Sequence, residues 1–283
     1  MNKELLKEEI FVVKANGRHE PFDSKKLLNS LVNSGASEEV AQSVLDHIIP
    51  EIHKDMTTGE IYRHAFDVLR TINRPVARSY SLRRAVMELG PSGFPFEDFV
   101  AEILRAKGFK CETRQVVLGE CVPHEVDVVA YTDTKLIMIE AKFHNELGTK
   151  SDLKVALYIK ARFDDIKENL FNYGGKDRRV TDSWLITNTK FSSTAIHYGV
   201  CKNLTMIGWN YPEGGGLKEM IEEEGLHPVT CLTSLSQDDK ESLLASGVVM
   251  CSKVRDNPKL LSEILGSEFK VEEVINEIKE LYK

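Results

Sequence analysis

Asp127 and the run Glu140-Ala141-Lys142 have the residue types and the spacing for metal-assisted chemistry. Val126 and Val128 flank Asp127, and residues 136–142 read as a strand. Strand side chains alternate, so Glu140 and Lys142 project to one face while Ile137, Ile139 and Ala141 project to the other. The short connection Thr132-Asp133-Thr134 pairs the two strands as a hairpin, which carries Asp127 toward Glu140. Two carboxylates at one end of a sheet suit a hard, oxygen-preferring cation such as Mg²⁺. Lys142 is placed to steady a water nucleophile or a phosphate oxygen. Upstream, the helix beginning near Phe96 puts Glu97 on the face of Val100, Ala101 and Leu104, at the edge of the core-facing stripe. Glu102 lies with Asp98 and Arg105 toward solvent. Glu97 is therefore the third candidate acid.

These residues need a scaffold, and the surrounding pattern supplies one. Helix is predicted over 96–107, strand over 110–118, 124–131 and 136–142, and a long helix over 150–172. A strand over 183–187, a helix over 192–201 and a strand over 204–209 follow. Such alternation makes an α/β core, a central mixed sheet flanked by helices. Turn clusters at Gly90-Pro91-Ser92-Gly93 and Pro212-Glu213-Gly214-Gly215-Gly216 bound it.

The order Glu97, Asp127, Glu140-x-Lys142 resembles the PD-(D/E)xK nuclease superfamily, and in particular its Mrr-like restriction endonuclease branch. The stretch Trp184 to Thr187, followed by Phe191-Ser192 and Ala195, is similar to the same branch. The resemblance implies a restriction-endonuclease-like core over residues 90–212 that hydrolyses phosphodiester bonds. Asp127 and Glu140 would hold Mg²⁺ or Mn²⁺, with the backbone carbonyl of Ala141 as a further ligand. Lys142 would orient the water or neutralise the scissile phosphate, and Glu97 would complete the shell. Double-stranded DNA is the expected substrate. Lys154, Lys160, Arg162, Arg178, Arg179 and Lys190 are available for phosphate contacts.

Residues 10–89 form a separate, mainly helical segment. A hairpin is predicted from the strand over 10–14, the turn Asn16-Gly17 and the partner run over 18–21. Asp23, Ser37 and Thr58 are placed to cap three helices with apolar stripes, and a fourth run over 75–89 carries Arg78, Arg83 and Arg84. The runs from Val13 to Arg18, Glu20 to Asp23, Lys25 to Leu27, Thr58 to Ile61 and Val76 to Tyr80 resemble the ATP-cone, a regulatory nucleotide-binding module. That resemblance implies ATP or dATP bound as an effector. Lys14 and Lys26 supply charge to a triphosphate, Thr58 a hydroxyl at a helix start, Glu20 a contact to ribose or base, and Arg78 a further cation. No G-x-x-x-x-G-K-[ST] occurs, so a P-loop motor is not expected.

Residues 213–283 read as a small all-α domain that faintly resembles a helix-hairpin-helix unit around Gly247-Val248-Val249. This tail carries 8 Lys+Arg against 15 Asp+Glu, and with both earlier segments balanced it holds the whole net charge of −7. An acidic tail favours protein interaction or dimerisation over DNA binding, so a homo-oligomer is expected. The 283 residues, 42% hydrophobic and 29% charged, suit a globular chain of two or three domains. No apolar run has the length of a membrane span, and the charged start excludes a signal peptide. Five scattered cysteines without C-x-x-C fit reduced thiols and a cytoplasmic location. The reading is a Mg²⁺-dependent DNA endonuclease regulated by nucleotide. Its rivals are a non-catalytic, nucleotide-sensing DNA-binding or regulatory protein built on a nuclease fold, and an RNA-directed nuclease.

Overall fold

The computed structural model describes residues 10–14, 17–146, 148–266 and 268–281, with the backbone alone at Pro75, Arg78 and Glu268. The chain divides into two compact units, residues 1–83 and 84–283.

In the first unit, β1 (Phe11–Val13) and β2 (His19–Pro21) form the antiparallel hairpin, with Val12 opposite Glu20. Ala15 and Asn16 of its turn lie outside the described residues. Three helices follow: α1 (Ser24–Asn33), α2 (Glu38–Ile48) with a 3₁₀ turn over Ile49–Glu51, and α3 (Thr58–Ile72). Asp23 and Ser37 cap α1 and α2 as expected. The cap of α3 is Thr57 rather than Thr58. Its side chain accepts from the Glu60 N–H at 3.1 Å, and the Glu60 carboxylate accepts from the Thr57 N–H at 2.8 Å. Of two adjacent threonines, the one three residues before a glutamate closes this reciprocal box, which leaves Thr58 as the first helical residue. Leu27, Leu31, Val44, Ile48, Ile61, Ala65 and Leu69 interlock as the core of this unit. The helix α4 (Arg74–Met87) runs across the boundary between the units.

The second unit opens with α5 (Phe94–Ala106), then β3 (Lys110–Leu118), β4 (Pro123–Tyr131) and β5 (Leu136–Lys142). After β6 (Lys150–Ser151) come α6 (Leu153–Ile166), β7 (Phe171–Tyr173), β8 (Lys176–Arg178), β9 (Asp182–Thr187), β10 (Lys190–Phe191), α7 (Ser193–Cys201) and β11 (Thr205–Ile207). The five-stranded sheet has the order β11-β9-β5-β4-β3. Its β3, β4 and β5 are antiparallel neighbours, and β9 and β11 run parallel to β5. The sheet is therefore mixed and flanked by helices, as the alternating pattern predicts.

The helix predicted over 150–172 is shorter, for two reasons. At its start Lys150 and Ser151 pair with Lys190 and Phe191, and the Asp152 carboxylate caps α6 by accepting from the Lys154 and Val155 N–H groups. Past its end Gly174 and Gly175 both have positive φ, 65° and 75°, the turn that closes a two-residue hairpin between β7 and β8. Ala156, Ile159, Phe163 and Ile166 of α6 pack with Val129, Leu136, Met138 and Leu185 on one side of the sheet. Each larger side chain there contributes about 1.5–3 kcal/mol of burial. The helix α5 lies against β3, β4 and β5 and is buried nearly all round, with Phe96, Phe99, Val100, Ile103 and Leu104 each at most 1% exposed.

The tail holds α8 (Leu217–Glu223), a 3₁₀ turn (Val229–Cys231), α9 (Gln237–Ala245), α10 (Cys251–Asp256), α11 (Pro258–Leu265) and α12 (Glu268–Leu281). At Gly247-Val248-Val249 the two valines are buried, and the N–H groups of Gly247 and Val248 close the end of α9. Among the described residues no helix is long and apolar enough to cross a membrane, and the five cysteines carry free thiols.

Candidate active site

The ladder between β4 and β5 pairs Val128 with Ile139, and the next step brings Asp127 level with Glu140. There the Asp127 side chain turns onto the neighbouring strand, its Oδ2 accepting from the Ala141 N–H at 2.8 Å. Asp127 thus stands beside all three residues of the Glu140-Ala141-Lys142 run. On the face of α6, Glu140 Oε2 accepts from Arg162 at 2.7 Å, with both side chains largely buried. The Arg162 guanidinium also lies over the Tyr158 ring, 5.6 Å from its centroid.

Glu97 sits in the first turn of α5, 8% exposed. Its Oε2 is buried and accepts no hydrogen bond, and Arg114 stands 3.6 Å away while pairing more closely with Asp98 at 2.9 Å. Arg114 adopts a positive φ of 54° on β3, between Thr113 and Gln115, which pair with Val128 and Val126. It is thereby placed opposite Asp127.

The electrostatics tie the three acids together. Burial pushes the Glu140 carboxyl up to about 7, helped by the Asp127 charge and opposed by Arg162 and Lys142. Burial likewise pushes Glu97 up to about 7, again helped by Asp127 and opposed by Arg114. Asp127 is raised by burial against the pull of the Ala141 N–H, with Glu125 adding to the rise and Arg162 and Lys142 opposing it. Both glutamates therefore feel Asp127, and Asp127 and Glu140 both feel Lys142. Too much negative charge in too little water is the condition that a hard cation relieves. The donors are all oxygen, one buried oxygen of Glu97 lacks a hydrogen bond, and the set fits Mg²⁺ or Mn²⁺.

Arg162, Arg114 and Glu125 belong to this cluster and were not legible as members of it. Arg162 is predicted as a phosphate contact. Instead it pairs with Glu140, because it lies three residues after Ile159 and four before Ile166, beside the stripe of α6 that packs against the sheet. Lys160 pairs with Asp164, Arg178 with the Tyr173 and Thr132 carbonyls, and Arg179 with Glu168, so these three serve internal partners.

In the first unit, Lys14 and Lys26 converge on one carboxylate, Glu20, at 2.9 and 3.5 Å. The hydrogen bond from Lys14 holds Glu20 below its usual value. The Val13 N–H donates to the Met56 carbonyl at 3.0 Å and Val13 bridges Thr57, which sets the hairpin beside the start of α3 where Thr58 lies. The side chain of Arg78 lies outside the described residues.

A cone-like helical unit and an acidic cluster on a mixed sheet define the class of architecture, and comparison with known proteins refines it. Residues 10–88 match the ATP cone domain, and residues 227–282 match the C-terminal domain of AF1548-like proteins. An uncharacterized protein of Archaeoglobus fulgidus is 38% identical over 183 residues, 64% of this chain and 99% of its own length. The crystal structure of AF1548, titled a protein of unknown function, superposes with a TM-score of 0.56 at 37% identity, covering 67% of this chain and 98% of that one. The MspJI restriction endonuclease in complex with a 27-mer oligonucleotide shares a TM-score of 0.31 at 15% identity, over 75% of this chain and 44% of that one. That last likeness is slight, and the functional reading rests on the side chains. The chain belongs to the AF1548-like family and carries an ATP cone at residues 10–88.

Proposed function

We propose that the protein is a Mg²⁺-dependent DNA endonuclease whose activity is modulated by ATP or dATP at the cone. The observation that carries this reading is the charge balance on the adjacent inner strands β4 and β5. Glu140 and Glu97 are both pushed to about 7 with Asp127 as the carboxylate common to them. When bound, a divalent cation there supplies Lewis-acid stabilisation of a phosphoryl centre and a water of lowered pKa. Asp127 and Glu140 would hold it, joined by the Ala141 carbonyl, with Glu97 as a further oxygen donor. Lys142, exposed beside this pair, orients the attacking water or meets the scissile phosphate. Arg162, paired with Glu140 at 2.7 Å, would offset part of that carboxylate's charge where the ion is absent.

The cone supports the regulatory half. Lys14 and Lys26, gathered by Glu20 next to the start of α3, form a cationic mouth for a triphosphate. Regulation requires that nucleotide favour one arrangement or oligomer of the full chain over another. Light scattering with and without ATP reads that directly.

One observation favours the rival, a non-catalytic DNA-binding or regulatory protein: the 2.7 Å Arg162–Glu140 pair already places a cation beside the acids. The purified full chain, incubated with supercoiled and linear DNA in Mg²⁺, Mn²⁺ or EDTA, decides between them. Metal-dependent cutting by the wild type that disappears in Lys142→Ala, with DNA binding retained, supports the nuclease. Equal cutting by Lys142→Ala overturns the assignment, and binding without cutting by the wild type favours the rival. An RNA substrate in the same panel tests the choice of nucleic acid.

A further inference from the structure

The first unit carries a second cluster of ligating groups that the nuclease reading does not use. His47 lies in the last turn of α2, Glu51 ends the 3₁₀ turn that follows, and His64 lies in α3. One ring nitrogen from each histidine and one carboxylate oxygen lie within 4.8 Å of one another. His64 Nδ1 stands 3.5 Å from Glu51 Oε2. The two imidazoles meet edge to face, their centroids 5.6 Å apart and their planes at 83°.

The scaffold fixes this arrangement independently of any ligand. Ile48 beside His47, and Ile61 and Ala65 around His64, are buried in one core, so α2 and α3 are held where they are by packing. His47 and Glu51, four residues apart, share one side of the chain as it leaves the helix. Donors about 2.0–2.1 Å from a tetrahedral ion stand roughly 3.4 Å from each other. The His64–Glu51 pair already has close to that spacing, and a rotation about the side-chain bonds of exposed His47 closes the third edge. Two imidazoles with one carboxylate and a position left to water are a donor set for borderline ions such as Zn²⁺, Co²⁺ or Ni²⁺, not for Mg²⁺. The C-terminal end of α2 adds partial negative charge at the same place, which favours a bound cation.

We propose that His47, Glu51 and His64 bind one borderline divalent metal ion, of the Zn²⁺ class, on the ATP cone. The site is separate from the acidic cluster of the second unit and stands whether or not that cluster cuts DNA. A bound ion ties the end of α2 and its 3₁₀ turn to α3, and so stiffens the unit that takes the nucleotide.

The test titrates Zn²⁺ into the full-length chain against a chromophoric chelator. An Asp127→Ala background keeps the acidic cluster from competing. In that background the parent is compared with His47→Ala, Glu51→Gln and His64→Ala, all of which keep the same five thiols. The expected result is that the parent binds one Zn²⁺ at least tenfold more tightly than each variant, and that Zn²⁺ raises its melting temperature more. His47 and Glu51 are exposed, so their variants keep the fold even if His64→Ala does not. The same stoichiometry and affinity in the parent, His47→Ala and Glu51→Gln overturns the proposal, as does a loss confined to His64→Ala.

Discussion

Asp127 accepts from the Ala141 N–H while its charge presses on both Glu140 and Glu97. The cost of that crowding has a definite sign with pH. Glu97 titrates near 7 in the folded chain against 4.5 when exposed, so the folded state holds its proton more tightly than the unfolded state does. This contribution is least unfavourable below about pH 4.5 and turns increasingly destabilising as pH rises through 7. In EDTA, the melting temperature of Glu97→Gln should therefore gain on that of the wild type between pH 5 and pH 8. With Arg114 alongside and solvent screening, the gain is on the order of 1 kcal/mol, or about 2–4 °C. A difference that does not change with pH would contradict the raised carboxyl. Arg162→Met should act in the opposite sense, because it leaves Glu140 buried beside Asp127 without its cation. Losing one partner of such a pair costs a few kcal/mol. Thermal unfolding in EDTA at pH 8 should show the loss, and Mg²⁺ should restore part of it. An unchanged midpoint in EDTA would mean that the pair is not stabilising.

Among the elements, α6 matters most to the site because it carries Arg162 across to Glu140. Its start depends on Asp152, which accepts from two N–H groups of the first turn. Asp152→Ala should cost about 1 kcal/mol, read as a fall of a few degrees in the melting temperature, with Asp152→Asn or Asp152→Ser recovering most of it. The strands were legible because their signals are local: β3 and β5 follow from runs of alternating and apolar residues bounded by Gly108 and Thr134. The acidic pattern Asp127, Glu140-x-Lys142 was legible for the same reason. What was not legible depended on partners far along the chain. Lys150 and Ser151 look helical until Lys190 and Phe191 pair with them. Arg162 looks like a surface cation until the fold lays its stretch of α6, between buried Ile159 and Ile166, over Glu140. Thr58 looks like the cap of α3 until the three-residue spacing from Thr57 to Glu60 is read as a capping box. The positive φ of Arg114, which sets its guanidinium by Glu97 and Asp98, leaves no mark in composition at all.

Over the whole molecule, two separately built units hold two kinds of charge: lysines gathered by a carboxylate in the first, and glutamates gathered around Asp127 in the second. The turn at Gly90-Pro91 and the cone-like runs upstream of it predict a division near residue 90, whereas the compact units part at residues 83/84, within α4, where no turn residue marks the sequence. Lys14→Ala and Lys26→Ala should each weaken ATP binding by about tenfold, since each removes one cation from a triphosphate contact. Calorimetry on the full chain checks this, with Lys142→Ala expected to bind ATP as the wild type does. Wild-type affinity in both cone variants would place the nucleotide elsewhere.

The claim on which the rest depends is that Asp127 and Glu140 together hold a divalent ion. Crystals soaked in Mn²⁺ and measured for anomalous scattering test it most directly. The account predicts a peak about 2.0–2.3 Å from carboxylate oxygens of both residues, with Arg162 drawn away from Glu140. A map with no peak between them, and Arg162 still paired to Glu140 at saturating Mn²⁺, would contradict it.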